Sequence, residues 1–323
     1  MFNYYLRLFL CHKILAFPKK SPRHSNKLFK SIQGRLLKRL TYPLQVNFET
    51  TRNCNLKCSF CAREQGEKLG NIDFESVTKV VHELTLSNQP TVFGMHMWGE
   101  PLLNPETFKI IQYIKSQSTP HKTTLTTNGT LLSQENNQQL IESGLDQVII
   151  SYHTTDAKKF EELIGRKIEQ KELQEKILEL LEQRNKTKSK LQIVLRLFEE
   201  PSEKNEFIEL CKKKGCTVEF RVYNNSAGHT PHYQNKSKAP RRWPCYRVWL
   251  TATVTANGDI TPCCVDLFHE LKVGSTRNAT LLESWSSEKL QKIRKEHQTL
   301  QFDKYAKICE NCDSWKELKD IGL

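Results

Sequence analysis

The chain alternates short apolar runs with longer amphipathic stretches. Apolar or alternating runs predict six β-strands, at 43–51, 91–98, 122–127, 147–153, 191–198 and 218–224. Apolar residues at helical spacing predict helices between them, at 74–87, 105–117, 133–144, 156–187 and 205–216. Strands that alternate with helices favour a parallel sheet with crossover helices. The predicted fold class is α/β, a partial (β/α)6 TIM-like barrel with its chemistry at the carboxyl ends of the strands.

The pattern changes after residue 224. Residues 225–244 are rich in polar residues, Gly and Pro, which predicts a linker or a loop over the active site. Two β-rich runs joined by Asn257 and Gly258 predict a hairpin at 249–264, and a helix is predicted at 280–297. We therefore expect a basic N-terminal arm (1–42), a barrel (43–224), a linker or active-site loop (225–244) and a small α+β domain (245–323).

The basic character of the chain is concentrated at its start. The formal net charge is +13, and residues 1–45 contain ten Lys or Arg and no Asp or Glu. Apolar residues in this arm, among them Phe2, Leu6 and Phe9, could form a helix face on an anionic membrane surface, or one that packs on the outside of the body. The body is nearly balanced in charge, so no nucleic-acid partner is expected. No apolar run reaches eighteen residues, so no transmembrane helix is expected.

Cysteine is unusually frequent and mostly clustered. Of eleven Cys, eight are grouped, at positions 54, 58, 61, 245, 263, 264, 309 and 312. Close spacing in a chain of this size favours metal binding over a disulfide framework, and it predicts a reducing, cytoplasmic location. A cubic [4Fe–4S] cluster takes one ligand per iron, and a structural zinc ion takes four protein ligands. Cys54, Cys58 and Cys61 supply three, which leaves one iron open to a small molecule.

The three-cysteine loop resembles that of a known enzyme superfamily. The spacing C-x3-C-x2-C after the first strand, with Phe60 before the third Cys, is similar to the radical S-adenosylmethionine (SAM) enzymes. "WGEPLL" (98–103) resembles the family's Gly-Gly-Glu-Pro motif, with Trp98 in place of the first Gly. "TTNGTLL" (126–132) and "GLDQVIISYHTTD" (144–156) are similar to its third and fourth strand segments. The resemblance covers residues 43–224.

The resemblance implies residue roles. Cys54, Cys58 and Cys61 would hold a [4Fe–4S] cluster whose open iron binds SAM. The remaining SAM-binding residues that it implies are Phe60 for adenine, Gly99 and Glu100 for the amino group with Pro101 shaping the turn, Thr127, Asn128 and Ser151 for ribose and carboxylate, and Arg166 and Arg196 for the carboxylate. A reduced cluster, supplied by a donor such as flavodoxin or ferredoxin, would cleave SAM to a 5′-deoxyadenosyl radical that abstracts hydrogen from a substrate C–H bond.

Cys245, Cys263, Cys309 and Cys312 form a second set, C-x17-C followed by C-x2-C. Four thiolates close a [4Fe–4S] or a zinc site. The layout resembles the SPASM/twitch extensions of radical SAM enzymes, and its spacing is similar to the twitch domain of 2-deoxy-scyllo-inosamine dehydrogenase. The resemblance implies an auxiliary [4Fe–4S] cluster. Cys264 is a rival to Cys263 as a ligand, and our interpretation is that Cys264 is a buried free thiol.

Several functions remain open. We expect oxidation of a small polar metabolite, a sugar or cyclitol type of alcohol, with the auxiliary cluster as electron acceptor. The alternatives are a peptide-modifying maturase and a non-catalytic metal-stabilised scaffold. We predict substrate contacts from Arg221, Tyr223, Asn224 and His229, while His96 and His153 have structural or substrate-binding roles. No catalytic side chain is assigned.

Overall fold

One mixed sheet organises the described part of the chain. The computed structural model describes residues 41–63, 70–201, 203–236 and 242–319. Within these residues the strands are β1 (Gln45–Phe48), β2 (Val92–Met95), β3 (Lys122–Thr127), β4 (Gln147–His153), β5 (Gln192–Leu197), β6 (Thr217–Phe220), β7 (Thr251–Val254), β8 (Asp259–Thr261) and β9 (Gly274–Ser275). The predicted basic arm falls almost wholly on residues 1–40, outside the described residues.

Helices connect and follow the strands. They are α1 (Phe74–Leu86), α2 (Thr107–Lys115), α3 (Gln134–Glu142), α4 (Ala157–Ile164), α5 (Gln170–Lys186), α6 (Glu206–Lys213), α7 (Arg247–Leu250), α8 (Leu281–Ser286) and α9 (Glu288–Thr299). Single 3-10 turns lie at Pro101–Leu103, Ser226–Gly228 and Lys307–Cys309, and a longer one at Ser314–Lys319.

The strand order is β6-β5-β4-β3-β2-β1-β7-β8-β9. Strands β1 to β6 are all parallel, which confirms the predicted (β/α) repeat and the partial-barrel fold. Strand β7 continues the parallel sheet by pairing with β1, from Gln45 opposite Thr251 to Phe48 opposite Val254. The predicted hairpin follows, with β7 and β8 antiparallel. The C-terminal cysteines thus attach to the barrel sheet itself.

Two predicted helices are each divided in two. The predicted helix at 156–187 is interrupted at Gly165, which has a φ of +63°. A Cβ at Gly165 would lie 2.1 Å from the carbonyl oxygen of Lys57, so only glycine allows this approach to the cysteine loop. The predicted helix at 280–297 is divided at Ser287, whose side chain accepts a hydrogen bond from the Leu290 N–H and begins α9.

The core lies between the sheet and the helices around it. Fully buried side chains include Phe48, Phe93, Ile150, Leu180 and Val254, so strands on both sides of β1 share it. The Phe48 and Phe93 rings stack with centroids 5.5 Å apart. Within the described residues, no helix combines the length and apolar character that crossing a bilayer requires.

A buried ion pair joins the barrel to the hairpin. The Glu49 carboxylate, at the end of β1, accepts hydrogen bonds from Arg52 Nε at 3.0 Å and from the Ala256 N–H at 3.0 Å. Arg52 also donates to the carbonyl of Leu267 and lies 3.2 Å from His269 Nε2. Burial raises the pKa of Glu49, and the charge of Arg52 opposes this shift. The pair fixes the hairpin against the end of β1.

We expect Glu49→Gln to lower the free energy of unfolding by about 2–4 kcal/mol, because it leaves Arg52 without its buried carboxylate. The measurement is anaerobic denaturant unfolding. Glu288→Gln is the matched control, since the Glu288 side chain is 81% exposed in its pair with Lys292, and its free energy of unfolding should stay close to that of the native sequence. Equal effects of the two substitutions would contradict a structural role for Glu49.

Candidate functional site

The loop that carries Cys54, Cys58 and Cys61 follows β1. The C-terminal turn of α4 holds it through backbone bonds from Lys57 N to Ile164 O at 3.1 Å and from Ser59 N to Leu163 O at 2.9 Å. A tight turn brings Cys61 N to 3.0 Å from Cys58 O. The loop is therefore fixed by main-chain contacts, and its thiols need not serve as its anchors.

The three thiols are half-buried and form no disulfide. Burial raises the pKa of Cys54, of Cys61 and, to about 12, of Cys58; the neighbouring Cys61 and Cys54 add to the shift at Cys58. Three close thiolates in this environment require positive charge beside them. Iron ions provide such charge, so the donor set fits a metal cluster.

The segment after β2 presses against this loop. A Cβ at Gly99 would lie 2.1 Å from the carbonyl oxygen of Thr51, so the position requires glycine. The Glu100 N–H donates to the carbonyl oxygen of Asn53 at 2.8 Å. Pro101 begins a 3-10 turn whose N-terminus is capped by the Glu100 side chain. Trp98, which replaces a motif glycine, lines the central cavity described below.

Glu100 ties the ends of two strands together. Its carboxylate accepts bonds from Thr127 Oγ1 at 2.7 Å, the Asn128 N–H at 2.7 Å and the Leu102 N–H at 3.2 Å. The side chain is buried, and burial raises its pKa to about 7 although these hydrogen bonds oppose the shift. In this arrangement Glu100 positions the ends of β2 and β3, and its contact with the SAM amino group stays a prediction.

Asn128 and Arg166 both support the cysteine loop. Asn128 Nδ2 donates to Asn55 Oδ1 at 2.9 Å, and Arg166 Nη1 donates to the Asn55 carbonyl at 2.8 Å. Arg166 is exposed and does not line the central cavity. Its prediction as a ligand of the SAM carboxylate stays a prediction.

A central cavity of about 590 Å³ lies inside the barrel. This volume is in the range of small-molecule pockets. Among its lining residues are Cys61 and Phe60 from the cysteine loop, Arg196, Arg221, Tyr223 and Asn224 among the predicted contacts, and Cys264 from the hairpin. Ser151 pairs in register with Arg196 at the end of β4. His229 is exposed against the ring of Phe268 and lies outside the lining.

Charged and polar groups lie together in this cavity. Arg196 Nη2 is 3.1 Å from Glu219 Oε2, and Arg221 Nε is 4.0 Å from the same oxygen. Burial, followed by the charges of Arg196 and Arg247, lowers the pKa of His96 to about 4. His96 is therefore neutral at physiological pH and can accept or donate a hydrogen bond.

Aromatic rings surround Phe60. His153 and Phe198 lie with ring centroids 4.9 and 5.0 Å away, and Tyr223 and Tyr233 lie at 6.0 Å. Burial lowers the pKa of His153 to about 4. Sequence reasoning identified Phe60, Tyr223 and His153 but missed Phe198 and Tyr233. The position of Phe198 just beyond the end of β5 was the available signal.

Cys245, Cys263, Cys309 and Cys312 line one small cavity, the auxiliary cavity. Cys264 instead faces the central cavity and is half-buried. The two consecutive thiols therefore border different cavities. Arg247 and Val265 line both cavities, so little more than one layer of side chains divides them.

The auxiliary thiols fit a cluster. Burial raises the pKa of Cys312 to about 11 and that of Cys263 and Cys309 well above its ordinary value. Among the described residues, no three His, Cys, Asp or Glu side chains converge so as to hold a single metal ion. A four-iron cube binds each thiolate through a different iron atom, so its ligands need not converge on one point.

Residues 224–236 form a segment that we call the strap. The Asp313 carboxylate accepts the N–H of Asn225 at 2.8 Å and that of Asn235 at 2.6 Å, so one side chain holds both ends of the strap. Asn225 Nδ2 donates to the carbonyl of Asn311 at 2.7 Å. At its far side, the Tyr233 hydroxyl lies 2.7 Å from Ser59 Oγ in the cysteine loop. The strap therefore connects the two cysteine groups.

Comparison with known families decides the identity of this arrangement. The profile of the radical SAM superfamily matches residues 48–211, half of the chain. The chain belongs to the radical SAM superfamily. The SPASM iron–sulfur cluster-binding domain matches residues 245–313, which include the four auxiliary cysteines. The cofactors of this radical SAM protein are therefore SAM and iron–sulfur clusters.

Curated relatives and solved structures agree with the family. A GTP 3′,8-cyclase from Aquifex aeolicus is 29% identical over 200 residues, 58% of this chain and 59% of that protein. The chain spans 37% to 59% of the length of the first curated relatives. The structure of BtrN in complex with AdoMet and 2-DOIA has a TM-score of 0.56 and 18% identity, covering 84% of this chain and 93% of that one.

A second solved structure is also similar. Streptococcus suis SuiB bound to precursor peptide SuiA has a TM-score of 0.61 and 17% identity, covering 91% of this chain and 79% of that one. At these identities both structures show the fold alone. They confirm a partial barrel followed by a C-terminal domain with antiparallel strands.

We expect Cys263→Ser to lose about four irons, one cluster, whereas Cys264→Ser should retain both clusters. Cys264 is the matched control because it is the next residue and faces the other cavity. Iron and sulfide analysis of anaerobically reconstituted protein measures the difference. Loss of a cluster in Cys264→Ser with full loading of Cys263→Ser would reverse the assignment.

We expect Glu100→Gln to weaken SAM cleavage about tenfold or more while both clusters are retained, since an amide N–H would face donors that now meet a carboxylate.

Because burial raises the pKa of Glu100 from 4.5 to about 7, the folded protein holds this proton more tightly than the unfolded chain. Its stabilising contribution is present at low pH and is lost as pH rises through about 7. Anaerobic unfolding at several pH values should show this trend in the native sequence and a weaker one in Glu100→Gln. Normal SAM cleavage by Glu100→Gln would contradict the predicted role of Glu100 at the SAM site.

Proposed function

We propose that this radical SAM enzyme oxidises a small polar molecule at a C–H bond of an alcohol carbon, with the auxiliary cluster as electron acceptor. The supporting observation is that one cavity borders both cysteine groups. Cys61 lines it on one side, and Cys264, next to the auxiliary ligand Cys263, lines it on the other. A substrate there would lie between SAM and the auxiliary site.

The lining suits a hydroxyl-rich substrate. Gln45 and Asn47 from β1, Thr124 and Thr126 from β3, and Gln147 from β4 offer hydrogen-bonding groups along the inner face. Alternate residues of a strand share a face, which explains why these positions converge. The rings around Phe60 would cover the adenosyl part and limit access of water. Electrostatic and hydrogen-bonding positioning of this kind is the protein's contribution to radical chemistry.

The proposed oxidation balances in hydrogen and electrons. When bound and reduced, the first cluster supplies the electron that cleaves SAM to methionine and a 5′-deoxyadenosyl radical. The substrate carbon would give one hydrogen atom to that radical, forming 5′-deoxyadenosine. The substrate radical would then give one electron to a cluster held by Cys245, Cys263, Cys309 and Cys312 and its hydroxyl proton to solvent, which would leave a carbonyl group. A flavodoxin or ferredoxin in the cytoplasm would supply the first electron.

A peptide is the second candidate substrate. The similar structure of SuiB was solved with a precursor peptide bound. The strap and the hairpin bound the mouth of the central cavity, where an extended chain could also enter. The names of the cyclase relatives suggest a nucleotide as a further compound to test, although this chain spans little more than half of those proteins at most.

The decisive experiment is a survey of SAM cleavage by the anaerobically reconstituted enzyme. We expect polyhydroxylated small molecules to stimulate release of 5′-deoxyadenosine, and a substrate deuterated at the reacting carbon to transfer one deuterium into it. Mass spectrometry measures both the transfer and the new carbonyl group.

Each other outcome has a distinct meaning. Stimulation by peptides alone would replace the proposed substrate class. Deuterium transfer without a two-electron oxidised product would overturn the role of the auxiliary site. Absence of any SAM cleavage, with both clusters loaded, would favour a scaffold.

A further inference from the structure

His297 forms part of the wall of the auxiliary cavity, with the four auxiliary cysteines. It projects from α9 and is 1% exposed. Its ring lies edge-on to Phe302 at 5.0 Å and to Trp249 at 6.1 Å between centroids. These two rings fix its orientation, so its nitrogen atoms have defined directions.

The hydrogen bonds of His297 define its tautomer. The N–H of Cys245 donates to His297 Nδ1 at 3.3 Å, so Nδ1 is the acceptor and Nε2 carries the proton. Among the described residues, Nε2 is buried and has no hydrogen-bond partner. A buried N–H donor without an acceptor is costly, and such groups are rare in folded proteins. This donor lies in a cavity that four thiols line.

A second donor repeats the pattern. Arg242 also lines the auxiliary cavity and donates to the carbonyls of Glu310 and, through a short contact, Cys309. Its Nε has no partner among the described residues. The guanidinium lies over the Phe302 ring, 4.3 Å from its centroid, which places it beside His297. Two unsatisfied donors at one wall indicate an acceptor that the described residues do not supply.

We propose that His297 donates its Nε2–H to a sulfur of the auxiliary cluster and thereby raises the reduction potential of that cluster. The sulfide and thiolate sulfurs of an iron–sulfur cluster accept such bonds, and the number of donors is one of the determinants of potential. A donated hydrogen bond stabilises the more negative, reduced state. The cluster becomes a better electron acceptor, which is the role that the proposed substrate oxidation requires.

The hydrogen bond itself follows from the geometry, and only its purpose rests on the proposed function. The two can be tested separately, because the potential is measured in substrate-free enzyme. If His297→Phe lowers the potential of the auxiliary cluster but the enzyme oxidises no substrate, the proposed function is wrong. His297 then remains a residue that tunes the potential. If the enzyme oxidises its substrate but His297→Phe leaves the potential unchanged, only the role of His297 is wrong.

The test is an EPR-monitored redox titration of the anaerobically reconstituted enzyme with both clusters loaded. We expect His297→Phe to make reduction of the auxiliary cluster about tenfold less favourable, a midpoint potential about 59 mV lower for one electron. His297→Gln retains an acceptor oxygen and an N–H donor, so its potential should stay near that of the native sequence. The potential of the SAM-binding cluster, recognised by its response to added SAM, should not change in either variant.

His82→Phe is the matched control, since His82 is exposed on α1. An unchanged auxiliary potential in fully loaded His297→Phe would overturn the proposal, and so would an equal drop in His297→Gln. A measurement without any substitution covers the case in which His297→Phe fails to load. In native enzyme labelled with 15N-histidine, the reduced auxiliary cluster should show hyperfine coupling to a histidine nitrogen. Absence of that coupling would also overturn the assignment.

Discussion

The parallel pairing of β1 with β7 determines the arrangement of the whole site. The cysteine loop follows the carboxyl end of β1, and β7 pairs with β1 in register, from Gln45 opposite Thr251 to Phe48 opposite Val254. Strand β8 returns antiparallel to β7, and Thr251 Oγ1 donates to the Pro262 carbonyl at 3.1 Å, so Cys264 lies near the amino ends of the parallel strands. The central cavity, which Cys61 and Cys264 both line, therefore extends along the inside of the barrel from one end of its strands to the other.

Buried polar contacts hold the carboxyl ends of the barrel strands in place. Glu49 and Arg52 fix the hairpin to β1, and Glu100 fixes the end of β2 to that of β3. Each carboxylate is buried and has its acceptor capacity matched by donors from neighbouring elements. Such networks are costly when incomplete and strongly favour one geometry when complete. The site therefore has a rigid frame that does not depend on the metal-ligating side chains.

Much of the fold was predictable because its signals are local. The six parallel strands and most helices follow from hydrophobic periodicity, and β3 and β4 match their predicted bounds. The interruption at Gly165 was not predictable, because its reason is contact with Lys57, more than a hundred residues away along the chain. The pairing of β7 with β1 was missed for the same reason. Sequence patterns show that a strand forms but not which edge it joins.

The candidate site was likewise predictable from the sequence only in part. The grouping of seven candidate ligand cysteines follows from their spacing, whereas Cys264 was expected to be a buried free thiol and is instead a half-buried residue of the central cavity. His297 gave no sequence signal, since a histidine in a charged amphipathic helix has no distinctive spacing. Its significance depends on the direction of one ring nitrogen. Only the packing of Trp249 and Phe302 defines that direction.

The strap makes the last part of the described chain a support for the wall of the central cavity. Asp313 holds Asn225 and Asn235, and Asn224 and Ser226 of the same segment border the central cavity. A chain that stopped at residue 308 would keep all the barrel strands, the first cysteine loop and the β7–β8 hairpin. It would nevertheless lose the anchor of the strap together with two auxiliary thiols. Truncation at the carboxyl terminus would thus open the central cavity from a point remote in sequence from the first cysteine loop.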